Sequence, residues 1–348
     1  MKRTDNMIEK LLSQRNLPPL LPRDEMLEIL RREIYGTMPE KPEKVEFIKR
    51  ENIIPKFCAG KAQCDEITVK CTVYGREFSF PIYATIPAGA ENLPFFIHIN
   101  FRPDNPDRYM PTEEIIDNGF ALISFCYKDV TSDDGDFEDG ISGVFLKGGK
   151  REPDSPGKIA LWAWAAQRAL DYAQTLTGTL DMSRACVCGH SRLGKTALLA
   201  AATDERFAFA YSNDSGCSGA ALARGTTGER PLDIITNFPF WFCENYYKYA
   251  DDVSKMPFDQ HYLVASIAPR YVLIGSASEN DWADPVSEFL TCAAASPAFE
   301  NGFKCEDRLP QVDDLYFDGD VGYQLRKGLH YFGREDWQRL IKFINLKK

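Results

Sequence analysis

The chain lacks several features that would assign it to other classes of protein. It has only four histidines in 348 residues. No stretch approaches the roughly 18 apolar residues that a membrane-spanning helix needs. No apolar segment follows the Lys2-Arg3 pair, as it would in a signal peptide. We therefore expect no membrane partner, no export signal and a cytoplasmic location.

Basic residues are also in deficit, which limits the possible partners. Lysine and arginine number 41 against 51 aspartates and glutamates, so the net charge is −10. This balance argues against a large basic face for nucleic acid. It does not exclude a local basic pocket, and it says nothing about the oligomeric state.

The ten cysteines do not show the spacing of a metal site. Cys58, Cys64 and Cys71 follow a C-x5-C-x6-C pattern, which is not that of a zinc site. Free thiols suit a reducing cytoplasm, where disulfides are rare. We expect buried cysteines that act as small apolar residues, and neither a metal nor an organic cofactor.

Buried strands alternate with helical segments along most of the chain, which predicts an α/β fold with a doubly wound, mainly parallel sheet and helices on both faces. Residues 44–87 alternate apolar and polar side chains and are expected to form an antiparallel edge. We divide the chain into an N-terminal helical extension, 1–40, and one catalytic domain, 41–348. The compact apolar runs that predict the buried strands lie at 94–100, 120–128, 185–189, 207–213 and 271–277.

Residues 186–199, CVCGHSRLGKTALL, predict a strand, a tight turn with a serine, and a helix. This is the layout of a nucleophile elbow, in which a serine sits exposed on a strained turn. The usual pattern is G-x-S-x-G. Here Gly189 precedes Ser191 by two residues as usual, but the second glycine, Gly194, follows it by three residues instead of two. Ser191 is therefore the candidate nucleophile.

A serine hydroxyl needs a base to accept its proton, and the small number of histidines allows a search by elimination. His98 lies inside a predicted strand, which suggests a core position. His190 precedes the serine, and its side chain should point away from the site. His261 precedes an apolar run and suits a structural role. His330 follows the last predicted strand and is the preferred base.

The orienting acid has several candidates near strand ends. Asp281 follows the strand at 271–277, which is the usual acid position of α/β-hydrolases. Asp214 follows the strand at 207–213. Glu279 and Asp284 are weaker alternatives. The order serine, acid, histidine along the chain is that of the α/β-hydrolase fold.

The motifs around these residues resemble the glucuronoyl esterases, carbohydrate esterase family fifteen, and bacterial relatives often described as acetyl xylan esterases. The likeness covers roughly residues 90–340. It implies that Ser191 attacks an ester, that Arg192 helps to hold the oxyanion, that Lys195 contacts a sugar hydroxyl and that Trp282 stacks on a sugar ring. The segments that carry it are GHSRLGK at the elbow, ALWAWAAQRALDY (160–172), DSGCSGAALAR (214–224), PFDQHYLVASIAPR (257–270) and DWADP (281–285).

Two departures from the family pattern affect the acid and the specificity. The family often has glutamate in an ESG segment where this chain has the shorter Asp214 in NDSG. In fungal members a glutamine in a T-W-Q segment recognises the uronate. This chain has RGTTGERPLD (224–233) in that region. In that segment Glu229 is the candidate contact to a sugar hydroxyl.

The sequence therefore predicts a serine carbohydrate esterase that acts through an acyl-enzyme on a glucuronoyl or acetyl ester. The expected partner is a small carbohydrate ester or oligosaccharide. Two alternatives remain. One is a different acyl hydrolase, such as a small-molecule deacetylase or a peptidase. The other is a non-catalytic binding protein on a hydrolase fold, since a fold alone does not prove chemistry.

Overall fold

A ten-stranded mixed sheet organises the computed structural model, which describes residues 6–146, 148 and 150–347. The strand order is β1-β2-β3-β5-β4-β6-β7-β8-β10-β9. The strands are β1 (Lys44–Arg50), β2 (Ala62–Val73), β3 (Arg76–Pro87), β4 (Leu93–Asn100), β5 (Ala121–Cys126), β6 (Leu180–His190), β7 (Phe209–Asn213), β8 (Tyr271–Ala277), β9 (Leu315–Tyr316) and β10 (Val321–Arg326).

Ten α-helices connect or flank these strands in the described part of the chain. They are α1 (Met7–Arg15), α2 (Arg23–Leu30), α3 (Thr112–Asp117), α4 (Gly140–Phe145), α5 (Lys158–Ala173), α6 (Arg192–Thr203), α7 (Pro231–Asn237), α8 (His261–Ala265), α9 (Pro285–Ala295) and α10 (Arg334–Leu346). A short π-helix, Arg31–Tyr35, continues α2.

The sheet is parallel in its centre and antiparallel at its edges. Strands β5, β4, β6, β7, β8 and β10 pair in parallel, whereas β1, β2 and β3 pair antiparallel and β3 joins the centre through β5. The turn between β2 and β3 consists of Tyr74 and Gly75, which both have positive φ. Two positive φ values are typical of the type I′ turns that two-residue hairpins favour. The predicted mainly parallel sheet with an antiparallel N-terminal edge is confirmed.

Apolar side chains leave the central strands toward both faces of the sheet. In β4, Phe95 and Ile97 enter one core cluster, whereas Phe96 enters the other. In β6, Val187 and Cys188 divide in the same way. Because successive side chains of a strand alternate sides, a run that is apolar at every position requires cover on both faces. Helices α5 and α6 supply residues to the first cluster, and α10 supplies residues to the second.

The described part of the predicted N-terminal extension packs into the same core as the rest of the chain. Met26 and Leu30 of α2 are buried in the larger cluster. The hydroxyl of Tyr35 donates to the carbonyl of Ser218 at 2.8 Å. Arg15 donates to the carbonyl of Arg224 at 2.6 Å. These contacts brace the segments around the candidate site, and the division at residue 40 stays a prediction.

Two expectations from composition concern the cysteines and the membrane. All ten cysteines are free, and eight of them are buried. Across the described residues, no helix combines the length and the apolar character needed to cross a bilayer.

Candidate active site

The candidate nucleophile lies on a strained turn between β6 and α6. Ser191 has φ 59° and ψ −128°, directly after the last residue of β6 and before the first residue of α6. Its backbone N–H donates to the carbonyl of Asn213 at 2.9 Å. A non-glycine residue in such a conformation costs on the order of 1–3 kcal/mol, and such strain concentrates at functional sites. The predicted strand-turn-helix layout is therefore present.

The two glycines of the elbow are required by close backbone approach. A Cβ atom on Gly189 would lie 2.2 Å from the carbonyl oxygen of Leu193. A Cβ atom on Gly194 would lie 2.9 Å from Oγ of Ser212 and 3.1 Å from Cβ of Ser215. The late second glycine thus lets α6 pack against the end of β7. This explains the spacing that departs from G-x-S-x-G.

An open cleft of about 740 Å³ lies at the carboxyl ends of the central strands. Ligand sites in α/β sheets form at this edge. The cleft brings together seven of the eight residues predicted for the site: Ser191, Arg192, Lys195, Asp214, Glu229, Trp282 and His330. Asp281 is not among its lining residues.

His330 meets an amide rather than a carboxylate. Nδ1 of His330 lies 2.9 Å from Nδ2 of Asn280. The adjacent Asp281 is exposed, and no hydrogen bond between its carboxylate and His330 is found among the described residues. The preferred acid of the sequence interpretation therefore does not contact His330. The physical reason is the short 3₁₀ turn that begins after Asn280, in which Asn280 is buried and Asp281 is exposed to solvent.

Asp214 lies close to His330, but both of its carboxylate oxygens have other partners. Oδ1 accepts the backbone N–H of Ala277 at 2.8 Å, and Oδ2 accepts Nη2 of Arg326 at 3.1 Å. Asp214 is 1% exposed. Burial raises its pKa to about 7, although Arg326 and the Asn280 amide act against this rise.

Arg326 ties Asp214 to the loop that carries His330. Its Nη2 atom donates to the carbonyl of Leu329 at 2.9 Å and also to the carbonyl of Tyr331. Its Nε atom donates to Asp336 at 3.0 Å. One buried guanidinium thus joins two carboxylates and the backbone on both sides of the histidine. Such networks fix side chains where every polar group has a partner.

Arg192 is held in an aromatic and acidic setting beside the serine. Its guanidinium pairs with Asp133 and lies 4.6 Å from the ring centroid of Trp241 and 5.5 Å from that of Phe238. Arg192 is also the first residue of α6, where backbone N–H groups have no partner within the helix. An anion that develops near Ser191 would meet both the helix terminus and a cation.

Lys195, Glu229 and Trp282 form one side of the cleft. Lys195 is 3% exposed, and its Nζ donates to the carbonyls of Ser215 and Cys217. It lies 3.9 Å from Oε2 of Glu229. Trp282 is 57% exposed and presents its indole at the rim. Burial raises the pKa of Glu229, and it lowers that of Lys195.

The other histidines take structural positions, with one difference from expectation. His98 is buried, and Nε2 of His261 contacts the carbonyl of Pro18 at 3.0 Å. His190 was expected to point away from the site, but its ring centroid lies 4.2 Å from that of His330. Nδ1 of His190 meets Oδ1 of Asn213 at 2.6 Å, which holds the ring there.

A metal ion does not suit the cluster next to the serine. His190, Asp214 and His330 each offer one potential ligand atom, and these atoms lie within 4.8 Å of one another. However, Arg326 donates to the Asp214 carboxylate and places a positive charge beside it. A divalent cation there would be repelled by this charge, so these residues do not favour a metal ion.

Sequence reasoning missed three residues that shape the site: Asn280, Arg326 and Asp133. Asn280 stands between two candidate acids in ENDW, and an amide is not the residue type expected to orient a catalytic histidine. Asp133 lies in the polar stretch TSDDGDFED (131–139), which reads as a solvated loop. Arg326 is the last residue of β10, and its position at the carboxyl end of a strand could have identified it as a site residue.

A family model described as "Glucuronyl esterase, fungi" matches residues 69–301. The carbohydrate esterase MZ0003 from an unknown prokaryotic organism is 40% identical over 238 residues, 67% of this chain and 55% of that protein. A 4-O-methyl-glucuronoyl methylesterase from Podospora anserina is 28% identical over 287 residues, 79% of this chain and 55% of that protein. The chain thus spans about half the length of the curated relatives it matches.

A solved structure agrees over nearly the whole chain. The glucuronoyl esterase from Solibacter usitatus superposes with a TM-score of 0.82 at 32% identity, covering 93% of this chain and 91% of that one. This likeness confirms the predicted fold class.

Proposed function

The chain belongs to the glucuronyl esterase family, and we propose that it is a serine esterase that hydrolyses the ester of a uronic acid. The observation that carries this proposal is the strained Ser191, which shares one cleft with His330, Arg192 and the side chains of Lys195, Glu229 and Trp282. A curated relative is described as a 4-O-methyl-glucuronoyl methylesterase, and a relative of known structure as a glucuronoyl esterase.

The arrangement supports acyl transfer through a covalent intermediate. His330 takes the proton of the Ser191 hydroxyl as the oxygen attacks the ester carbonyl, and it later returns a proton to the leaving alcohol. Arg192 and the first N–H groups of α6 stabilise the charge on the carbonyl oxygen. Water, activated by His330, then hydrolyses the acyl-enzyme.

The sugar part of the substrate fits the side of the cleft formed by Lys195, Glu229 and Trp282. The indole offers an apolar face for a sugar ring, and its N–H is already bonded to Glu229. Glu229 and Lys195 offer an acceptor and donors to hydroxyl groups. Hydrolysis of a uronate ester releases a carboxylate, which Arg192 and Lys195 would attract.

Removal of acetyl groups from a sugar is the second candidate. The segment that would read the uronate in fungal members is replaced here by residues 224–233, in which Thr226 and Thr227 bond to Asp284 rather than to the cleft. Only Glu229 of this segment lines the cleft together with Ser191. This departure favours a test of acetyl esters beside uronate esters.

The test is turnover of two substrates by the purified full chain, with Ser191→Ala as the control. The substrates are a methyl ester of 4-O-methyl-glucuronate and an acetylated xylo-oligosaccharide. We expect hydrolysis of the uronate ester, lost in the control. Release of acetate alone would make the protein a sugar deacetylase, and turnover of neither substrate would refute the carbohydrate esterase assignment.

A further inference from the structure

We propose that Asn280 is the residue that positions His330, in the place that a carboxylate occupies in a serine triad. The inference rests on the proposed function for its kinetic consequences, but the geometry that carries it is independent of the substrate. Asn280 is a positioning residue, since it acts on the reaction only through the imidazole.

The contact between the two side chains is short, and Asn280 is buried whereas His330 is open to solvent. Asn280 is 7% exposed, and its amide lies 2.9 Å from Nδ1 of His330. Its backbone N–H donates to the carbonyl of Ala277 at 3.2 Å, which anchors the residue to the end of β8. The nearest carboxylate, that of Asp214, accepts hydrogen bonds from Ala277 and Arg326, and the Asn280 amide also acts on it. The amide, and not this carboxylate, is the group at hydrogen-bond distance from Nδ1.

An amide can hold either neutral form of the imidazole. With its nitrogen toward His330, it donates to Nδ1 and leaves the proton on Nε2. Rotated by half a turn, its oxygen accepts the proton of Nδ1 and leaves Nε2 as a free base toward the serine. The second orientation is the one that general base catalysis needs. A carboxylate would enforce it, whereas Asn280 permits both.

The charges around His330 make the identity of this partner matter. Arg192, Lys195 and Arg326 lie near the ring as cations, the neutral ring of His190 packs against it at a tilt, and Asp214 is the carboxylate beside it. Desolvation in the cleft, followed by the positive charges, lowers the pKa of His330 to about 4. Since Asn280 is neutral, it does not offset these positive charges. The imidazolium formed during catalysis therefore has no hydrogen-bonded carboxylate from this residue to stabilise it.

The experiment compares Asn280→Ala and Asn280→Asp with the wild-type chain. Asn118→Asp, on an exposed residue at the end of α3, is the matched control. Two quantities are measured: the kinetics of uronate ester hydrolysis across pH, and the titration of His330 by NMR without substrate. We expect Asn280→Ala to lower kcat by roughly 10²-fold with little change in KM, because a mispositioned base loses part of its contribution.

Asn280→Asp should raise the pKa of His330 by about one pH unit or more, because an opposite charge within hydrogen-bond distance favours the imidazolium. The acid limb of kcat/KM should move by the same amount, and kcat should rise. Asn118→Asp should change neither. The NMR titration reports on the contact even if the substrate assignment fails, so the two failures are distinguishable.

Two results would overturn the inference. One is an unchanged His330 titration in Asn280→Asp. The other is a loss of kcat in Asp214→Asn or Asp281→Asn that matches Ser191→Ala while Asn280→Ala stays fully active. In the latter case that carboxylate, and not the amide, would be the partner of His330.

Discussion

Trp282 and Glu229 are joined by two hydrogen bonds at the rim of the active-site cleft. Nε1 of Trp282 donates to Oε1 of Glu229 at 3.1 Å, and the backbone N–H of Glu229 donates to the carbonyl of Trp282 at 2.8 Å. Gly228 fits between the two segments, since a Cβ atom there would lie 2.5 Å from that same carbonyl. The exposed indole is thereby held in one orientation beside Ser191.

The first prediction concerns this indole. Trp282→Ala should raise KM for the uronate ester by roughly 3- to 10-fold, because ring stacking contributes on the order of 1 kcal/mol. Trp282→Phe keeps an aromatic face and should lose less. Both variants should keep the wild-type melting temperature within a few degrees, since the residue is 57% exposed. An unchanged KM in Trp282→Ala would remove the stacking role.

The second prediction concerns the strain at Ser191. Ser191→Gly and Ser191→Ala should both lose ester hydrolysis. The glycine variant should be more stable to denaturant than the alanine variant by about 1 kcal/mol, because glycine adopts a positive φ without steric cost. Equal unfolding free energies for the two variants would mean that the turn stores no strain.

The third prediction tests the steric role of the elbow glycines. Gly189→Ala should lower the free energy of unfolding by about 3 kcal/mol, since its new methyl group would collide with the carbonyl of Leu193. Gly135→Ala is the control, because Gly135 has open space around it and no positive φ. Urea unfolding of both variants is the measurement. A Gly189→Ala chain as stable as the control would contradict the close approach of α6.

The fourth prediction concerns Glu288, a buried carboxyl group beneath the site. It accepts the backbone N–H of Gly216 at 2.9 Å and bonds to Oγ of Ser276 at 2.5 Å. Burial, with the nearby charge of Asp214, raises its pKa from 4.5 to about 8. In the unfolded chain this carboxyl ionises at lower pH, so between these values unfolding releases a proton.

Wild-type stability should therefore lose a contribution as pH rises from about 5 to 8. Glu288→Gln has no such proton and keeps a donor and an acceptor for the same partners. The unfolding free energy of the variant minus that of the wild type should therefore become more positive as pH rises from about 5 to 8. A difference that stays constant with pH would show that Glu288 is ionised in the folded protein.

The central strands and the elbow could be predicted because their signals are local. Runs such as PFFIHIN and YVLIGSA are apolar at every position, and only strands with both faces covered need that pattern. The boundaries were less accurate. Strand β6 begins at Leu180 rather than at residue 185, because polar residues such as Asp181 and Ser183 lie at an exposed end of the sheet where apolar character is not required.

The partner of His330 could not be predicted, because one residue in a turn decides it. Glu279, Asn280 and Asp281 are adjacent, and only the backbone of the turn selects which side chain faces inward. The position of His190 depended in the same way on a distant contact, with Asn213. Such choices come from tertiary packing, whereas sequence patterns report on local structure.

The measurement that tests the account most directly is labelling by a serine-reactive fluorophosphonate, with the site located by peptide mass spectrometry. The account predicts one label per chain, on Ser191, with loss of esterase activity in proportion to labelling. It also predicts no labelling of Ser191→Ala. Stoichiometric labelling at another residue, or ester hydrolysis that persists in Ser191→Ala, would contradict it.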